Sequence, residues 1–273
     1  MSRKSINGRQ RGFTLVEAVI VIVITGIVAA MVAVFIQKPV QGYFDSARRA
    51  ELTDVADTAA RRISRDLHLA LPNSVRSSTP LAIEFLSTRT GGRYRAEVDT
   101  GAEDILDFTQ PDTSFDILGP PLTFAAGDQI VVYNLGIPGS DAYEGNTAAT
   151  HNRRAYSGGV GAALSNVAIS SVNRLPLASP GNRFQVVDTP VSYVCDLGAQ
   201  TLRRYSGYPI VAAQAVPPVG GSNALLAKNV SACSFTYQSG VTARSGLVAI
   251  QLAVTQSGET VSLHHEVHVS NVP

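Results

Sequence analysis

A basic stretch ends at Gly12, and Phe13 then opens an apolar run of about 23 residues that holds one carboxylate, Glu17, near its start. At 1.5 Å of rise per residue, such a run makes a helix about 35 Å long, enough to cross a bilayer. The stretch before it carries Arg3, Lys4, Arg9 and Arg11 and no acid, and positive charge next to a span stays on the cytoplasmic side. A secretory signal is cut after a short apolar core. Here the glycine precedes the core, so cleavage at Gly12 leaves the apolar segment on the mature chain as an anchor.

Glu17 is costly where it stands. A carboxylate near hydrocarbon costs about 2.5–3.5 kcal/mol on insertion scales, and is rare without a partner or a function. A helix-end acid can also reach the headgroups without any further role. Cleavage between Gly12 and Phe13 would create an α-ammonium one helical turn from Glu17. In a bundle of packed helices, that ammonium on one subunit could meet Glu17 of another, and charges attract far more strongly at low dielectric than in water.

Gly12-Phe13-Thr14-Leu15-Val16-Glu17, followed by Ile22-Val23-Ile24-Thr25-Gly26-Ile27, resembles the class III signal of type IV pilins and type II secretion pseudopilins. The resemblance implies cleavage between Gly12 and Phe13 by a prepilin peptidase, N-methylation of Phe13, and a role for Glu17 in subunit docking. It also implies a long helix packed on a β-sheet head. Many family members carry a helix proline where this chain has Val34; here Pro39 follows instead, which makes Gly26 and Pro39 the expected points of local loosening.

The 273-residue chain has a formal charge of +1, but without the four basic leader residues 18 Lys and Arg face 21 Asp and Glu, a balance of −3. No basic surplus remains for nucleic acid. The two cysteines, Cys195 and Cys233, form no CxxC and no zinc spacing. A head translocated outward meets an oxidising compartment, so a disulfide between them is expected, closing a loop worth about 4 kcal/mol in the chain-entropy model.

Beyond the span, Leu52, Ala56, Ala59, Ile63, Leu67 and Ala70 recur at steps of three and four, an apolar stripe that continues the helix to about Leu71 before Pro72. Asp45–Arg49, Asp57–Arg61 and Arg62–Asp66 have the i,i+4 spacing of mutual support on the other face. After Pro72 the period becomes two. Residues 81–86 and 94–98 read as strands around a Thr90-Gly91-Gly92 turn, and residues 130–135, 167–172 and 184–187 as further strands. Residues 136–161 and 207–221 read as irregular connections. Residues 191–195 and 201–205 form a hairpin around Asp196-Leu197-Gly198. A strand starting near Phe235, then residues 246–255 and 260–269 around Gly258, complete an antiparallel sheet whose apolar face needs the helix as its partner layer. The expected chain is α+β: a leader over 1–12, a transmembrane helix over 13–36, its amphipathic continuation over 37–71 and a β-rich head over 72–273.

Three further stretches resemble minor subunits of mannose-sensitive haemagglutinin (MSHA)-type pili: Arg61 to Leu67 with Ala70 to Arg76, Val131 to Gly136, and Glu266 to Pro273. That resemblance implies a minor pilin-like subunit in the inner membrane, with its head in the periplasm or in an extracellular pilus. Its partners would be the prepilin peptidase, the major and other minor pilins and the inner-membrane assembly machinery. A J-like minor pseudopilin of a type II secretion system is the alternative within the class, and a tip adhesin binding a sugar through residues 136–161 is a further one.

No cofactor or catalytic grouping is expected. His264, Glu266 and His268 alternate on one face of the last strand, a spacing that can converge on metal but that equally marks a solvated face. His265 falls on the apolar face as a core or boundary residue. Glu97, Asp99, Glu103, Asp104 and Asp107 make an acidic loop without the EF-hand spacing for calcium. Ser157-Gly158-Gly159-Val160-Gly161 lacks the lysine of a phosphate-binding loop.

Overall fold

The computed structural model describes residues 12–144, 151–170, 173–242 and 245–273. Among the described residues one helix, α1 (Leu15–Leu67), is followed by strands. The fold is α+β and pilin-like, with one long apolar N-terminal helix and a mostly antiparallel β head. Residues 51–273 form one compact body, which includes the last turns of α1.

The strands, in chain order, are β1 (Arg76–Thr79), β2 (Ala82–Tyr94), β3 (Ser114–Leu118), β4 (Leu122–Thr123), β5 (Gln129–Val132), β6 (Arg153–Ala155), β7 (Ala163–Leu164) and β8 (Asn166–Ala168). They continue with β9 (Arg183–Asp196), β10 (Thr201–Ser206), β11 (Ser222–Lys228), β12 (Val230–Thr242), β13 (Ser245–Gln256) and β14 (Glu259–Ser270). A nine-stranded sheet runs β11-β10-β9-β2-β3-β8, with β1 on β2, β5 on β9 and β6 on β5; β12-β13-β14 form a second sheet, and β4 pairs β7.

Leu52, Ala56, Ala59, Ile63 and Leu67 of α1 are buried in one core with Phe85, Val191 and Tyr193 of the large sheet and Phe235, Val248, Ile250, Leu252 and Val254 of the small one. The helical stripe therefore takes its cover from both sheets. A second core, around Tyr94, Phe115, Ile130 and Phe184, lies under the strands remote from the helix. Alternation is clean in β13, whose Val248, Ile250, Leu252 and Val254 are all buried. The β13–β14 register runs unbroken from Ser245↔Ser270 to Gln256↔Glu259, closed by Ser257 and Gly258, both with positive φ.

Several sequence expectations need correction. Helix α1 ends at Leu67, about a turn early, because Leu71 donates its N–H to Leu86 O of β2 (2.8 Å). Thr90-Gly91-Gly92 is not a turn. β2 runs through it to Tyr94, and residues 95–98 are not a strand. The glycines let β9 approach: a Cβ at Gly91 would sit 2.8 Å from Phe184 O, and one at Gly92 would sit 3.0 Å from the Phe184 ring. Residues 184–187 and 191–195 belong to the one strand β9, which passes Pro190, a residue with no ladder donor, beside the register shifts around Thr88. β11 has no sequence signal, since its side chains are mostly exposed. Residues 136–161 hold β6 rather than one long loop, and residues 145–150, like 171 and 172 of the expected 167–172 strand, lie outside the described residues.

Polar side chains fix how these parts meet. Asp66, on the last turn of α1 and 7% exposed, accepts from Tyr193 Oη (2.7 Å) and Arg204 Nε (2.6 Å), with Arg62 Nε at 3.3 Å. Burial, and then the bond to Asp66, raises the Tyr193 hydroxyl pKa well above its ordinary range, so Tyr193 remains a donor. Glu84, 1% exposed, accepts twice from Arg76 (2.6 and 3.1 Å) and once from Ser192 Oγ (3.3 Å). Arg76 in turn donates to Val211 O and Ala212 O, tying residues 207–221 to β1. Asn73, at φ 60°, donates to Asn134 O (2.9 Å) and Asn271 O (3.2 Å), while Asn134 Nδ2 donates to Pro72 O (2.7 Å). The three stretches containing Asn73, Asn134 and Asn271 thus meet at one point.

Asp66→Ala leaves the buried Tyr193 and the half-buried Arg204 without this acceptor, and should cost about 3 kcal/mol, the lower end for a broken buried pair. Asp57→Ala removes the exposed pair with Arg61 and should cost about 0–1 kcal/mol. Urea unfolding of the detergent-solubilised chain measures both. Equal losses would show that the Asp66 cluster holds nothing that a surface pair does not.

Candidate functional site

The candidate site is the start of α1. Residues 12–14 have no regular structure, and α1 begins at Leu15. Thr14 caps it: Thr14 Oγ1 accepts from Glu17 N (3.2 Å), and Thr14 O accepts from Ala18 N (3.1 Å). A hydroxyl at this position satisfies one of the N–H groups that a helix start leaves without partners. The Gly12–Phe13 peptide therefore precedes the helix, with Gly12 exposed and Phe13 72% exposed. Open space surrounds the place where a Cβ would sit on Gly12. Nothing among the described residues demands glycine there.

Glu17 is exposed in the first turn, where a carboxylate complements the positive end of the helix dipole. Its backbone N–H serves the Thr14 cap and its carboxylate faces outward. From Leu15 to Ile36 all the Val, Ile, Leu, Met and Phe side chains are exposed. A helix apolar on every side needs lipid or neighbouring helices around it. It is the one helix among the described residues long and apolar enough to cross a membrane. α1 continues through Gly26 and Pro39 without a break, and Thr25 Oγ1 returns to Val21 O (2.7 Å) and Ile22 O (3.1 Å). These bonds absorb the hydroxyl within its own helix.

Cys195 of β9 and Cys233 of β12 are joined by a disulfide with Cα atoms 6.4 Å apart. It links the two sheets. Beside it the tip of the β1–β2 hairpin also bridges them, through Cys195 N to Leu81 O (2.8 Å) and Phe235 N to Pro80 O (2.7 Å).

The other candidates resolve into local structure. His264, Glu266 and His268 are exposed on the outer side of β14, while the half-buried His265 lies opposite Ile250. Among the described residues no three His, Cys, Asp or Glu are placed to hold a metal. Three acids of residues 97–107 are engaged by nearby hydroxyls and amides. Glu103 accepts from Thr100 Oγ1 (2.6 Å) and N (3.0 Å), and Asp107 accepts from Thr109 Oγ1 (2.6 Å) and N (2.7 Å). Asp104 accepts from Ser114 Oγ (2.6 Å) and Asn166 Nδ2 (2.9 Å). The Thr100 hydroxyl, then its N–H, holds Glu103 down at a pKa of about 2. Around Gly158 the requirement is room for Tyr156, whose hydroxyl donates to Gly159 O (2.6 Å) and whose ring stacks on Phe124 at 4.5 Å.

Thr14-x-x-Glu17 has the spacing of a capping box, the signal in the sequence for this helix start. Burial of Asp66 has no such signal, because one buried acid on an amphipathic helix leaves no mark on the pattern.

A family model for the prokaryotic N-terminal methylation motif matches residues 7–33. Searches among curated proteins and among solved structures found no significant match. The motif covers the whole candidate site, from the basic stretch past Gly12, Phe13 and Glu17 into the apolar helix. It supports the type IV pilin and pseudopilin class, a class of structural subunits, with anchoring in a membrane and processing by a prepilin peptidase.

Proposed function

We propose that this chain is a minor pilin-like subunit that takes part in starting an MSHA-type type IV pilus. The observation that carries the reading is the methylation motif at residues 7–33, set on a scissile peptide that lies outside the helix and next to a first-turn carboxylate. A prepilin peptidase cuts between Gly12 and Phe13 and methylates the new N-terminus. The basic leader lies in the cytoplasm, α1 spans the inner membrane and the head lies in the periplasm. Glu17 then meets the N-terminal ammonium of a neighbouring subunit as the helices bundle. Major and other minor pilins and the inner-membrane assembly machinery are the partners.

The MSHA assignment rests on the stretches that meet at Asn73, Asn134 and Asn271. The N-terminal motif alone serves a J-like minor pseudopilin of a secretion system equally well. Recovery of the chain in sheared surface pili, at a low ratio to the major subunit, supports the pilus. Its presence only with secretion components points to the pseudopilus.

Gly12→Asp should leave a full-length, membrane-retained precursor with its fold intact, because the chain has room for the side chain. Intact mass checks this, and a wild-type mature chain starting anywhere but N-methyl-Phe13 overturns the processing reading. Glu17→Leu removes a charge that costs about 2.5–3.5 kcal/mol to insert. It should be processed and retained in the membrane at normal levels, yet fail to enter pili, because the neighbour's buried ammonium has lost its partner. Subunit incorporation, in a strain carrying only this copy, is the measurement. Normal incorporation would mean that Glu17 is dispensable.

A further inference from the structure

We propose that Thr14 is a positioning residue for cleavage: its hydroxyl stops the helix at Leu15 and so holds the Gly12–Phe13 peptide outside it. The proposal rests on the reading that a prepilin peptidase cuts at this bond.

In an α-helix each N–H bonds the carbonyl four residues earlier. A helix extended upstream over the junction would need Glu17 N–H for Phe13 O and Val16 N–H for Gly12 O. Glu17 N–H is already committed, to Thr14 Oγ1 at 3.2 Å. The cap thus withholds the donor for the Phe13 carbonyl, and a helix that grows one bond at a time then does not go on to the Gly12 carbonyl, which belongs to the scissile peptide. A peptidase has to reach the carbonyl and the N–H at the scissile position, and helical hydrogen bonding occupies both.

Gly12 and the Thr14 hydroxyl both oppose a helix across the junction, the one because glycine is a poor helix former, the other by capping the helix that begins at Leu15. Both lie within two residues of the bond, and the open space around Gly12 and the exposure of Phe13 leave a peptidase access.

Direct recognition of the threonine side chain by the peptidase makes the opposite prediction for two substitutions. Valine keeps the shape and loses the acceptor. Asparagine changes the shape and caps well. The test follows cleavage of the full-length precursor in membranes that contain a prepilin peptidase, with the Phe13 carbonyl chemical shift of the detergent-solubilised precursor as a second readout. Thr14→Val should be cut about fivefold more slowly, the factor that a typical N-cap is worth, and its Phe13 carbonyl should shift toward helical values. Thr14→Ser and Thr14→Asn should match wild type in both readouts. Wild-type speed in Thr14→Val, or Thr14→Asn as slow as Thr14→Val, overturns the capping role and leaves the processing reading intact. A wild-type precursor that is never cut between Gly12 and Phe13 overturns both.

Discussion

Burial of one stripe of α1 organises the compact body. Leu52, Ala56, Ala59, Ile63 and Leu67 bring apolar faces of two separate sheets into a single core. Each sheet has an apolar face that must be removed from water, and the helix is the element both of them share. Its small residues, Ala56 and Ala59 at 0% exposure, leave room for large side chains such as Phe85 and Tyr193 to close over it. Apolar burial is not directional. Asp66 adds direction, because a buried carboxylate that accepts from β9 and β10 together is satisfied at one rotation of the helix.

A two-sheet head must also settle how the sheets meet. The hairpin tip at Pro80 and Leu81 gives one carbonyl to each sheet, and the Cys195–Cys233 disulfide crosses beside it. At the other end of the β1–β2 region, Asn73 joins the segment after α1 to the segment after β5 and to the segment after β14. Gly136 belongs to the same junction. A Cβ there would lie 2.9 Å from Asn73 O, and its φ of +65° favours glycine. These contacts hold distant parts of the head together.

The start of α1 follows a different logic. Its apolar side chains are exposed. Its apolar run needs lipid or other helices around it, and in the proposed function Gly12–Phe13 meets a peptidase and Glu17 a neighbour's N-terminus. The one internal device there, the Thr14 cap, sets where the helix begins and therefore which of its residues stay available to those molecules.

The apolar helix and the methylation motif around Gly12 and Phe13 were legible in the sequence because they are local. An apolar run of spanning length, basic flanking charge and a glycine before a phenylalanine depend on neighbours in the chain alone. The helical stripe and the β13–β14 pair were legible for the same reason, since a period of 3.6 or 2 records which face is buried. What tertiary structure decided lies where distant segments compete for the same space or the same donor. Gly91 and Gly92 have the composition of a turn, yet they sit in a strand because Phe184 lies against them. Leu71 could have extended the helix, but Leu86 takes its N–H. Asp66 has the spacing of a surface ion pair, and two strands more than a hundred residues away bury it. Local periodicity carries no record of such partners, because the free energy that selects them comes from contacts formed only when the whole head closes.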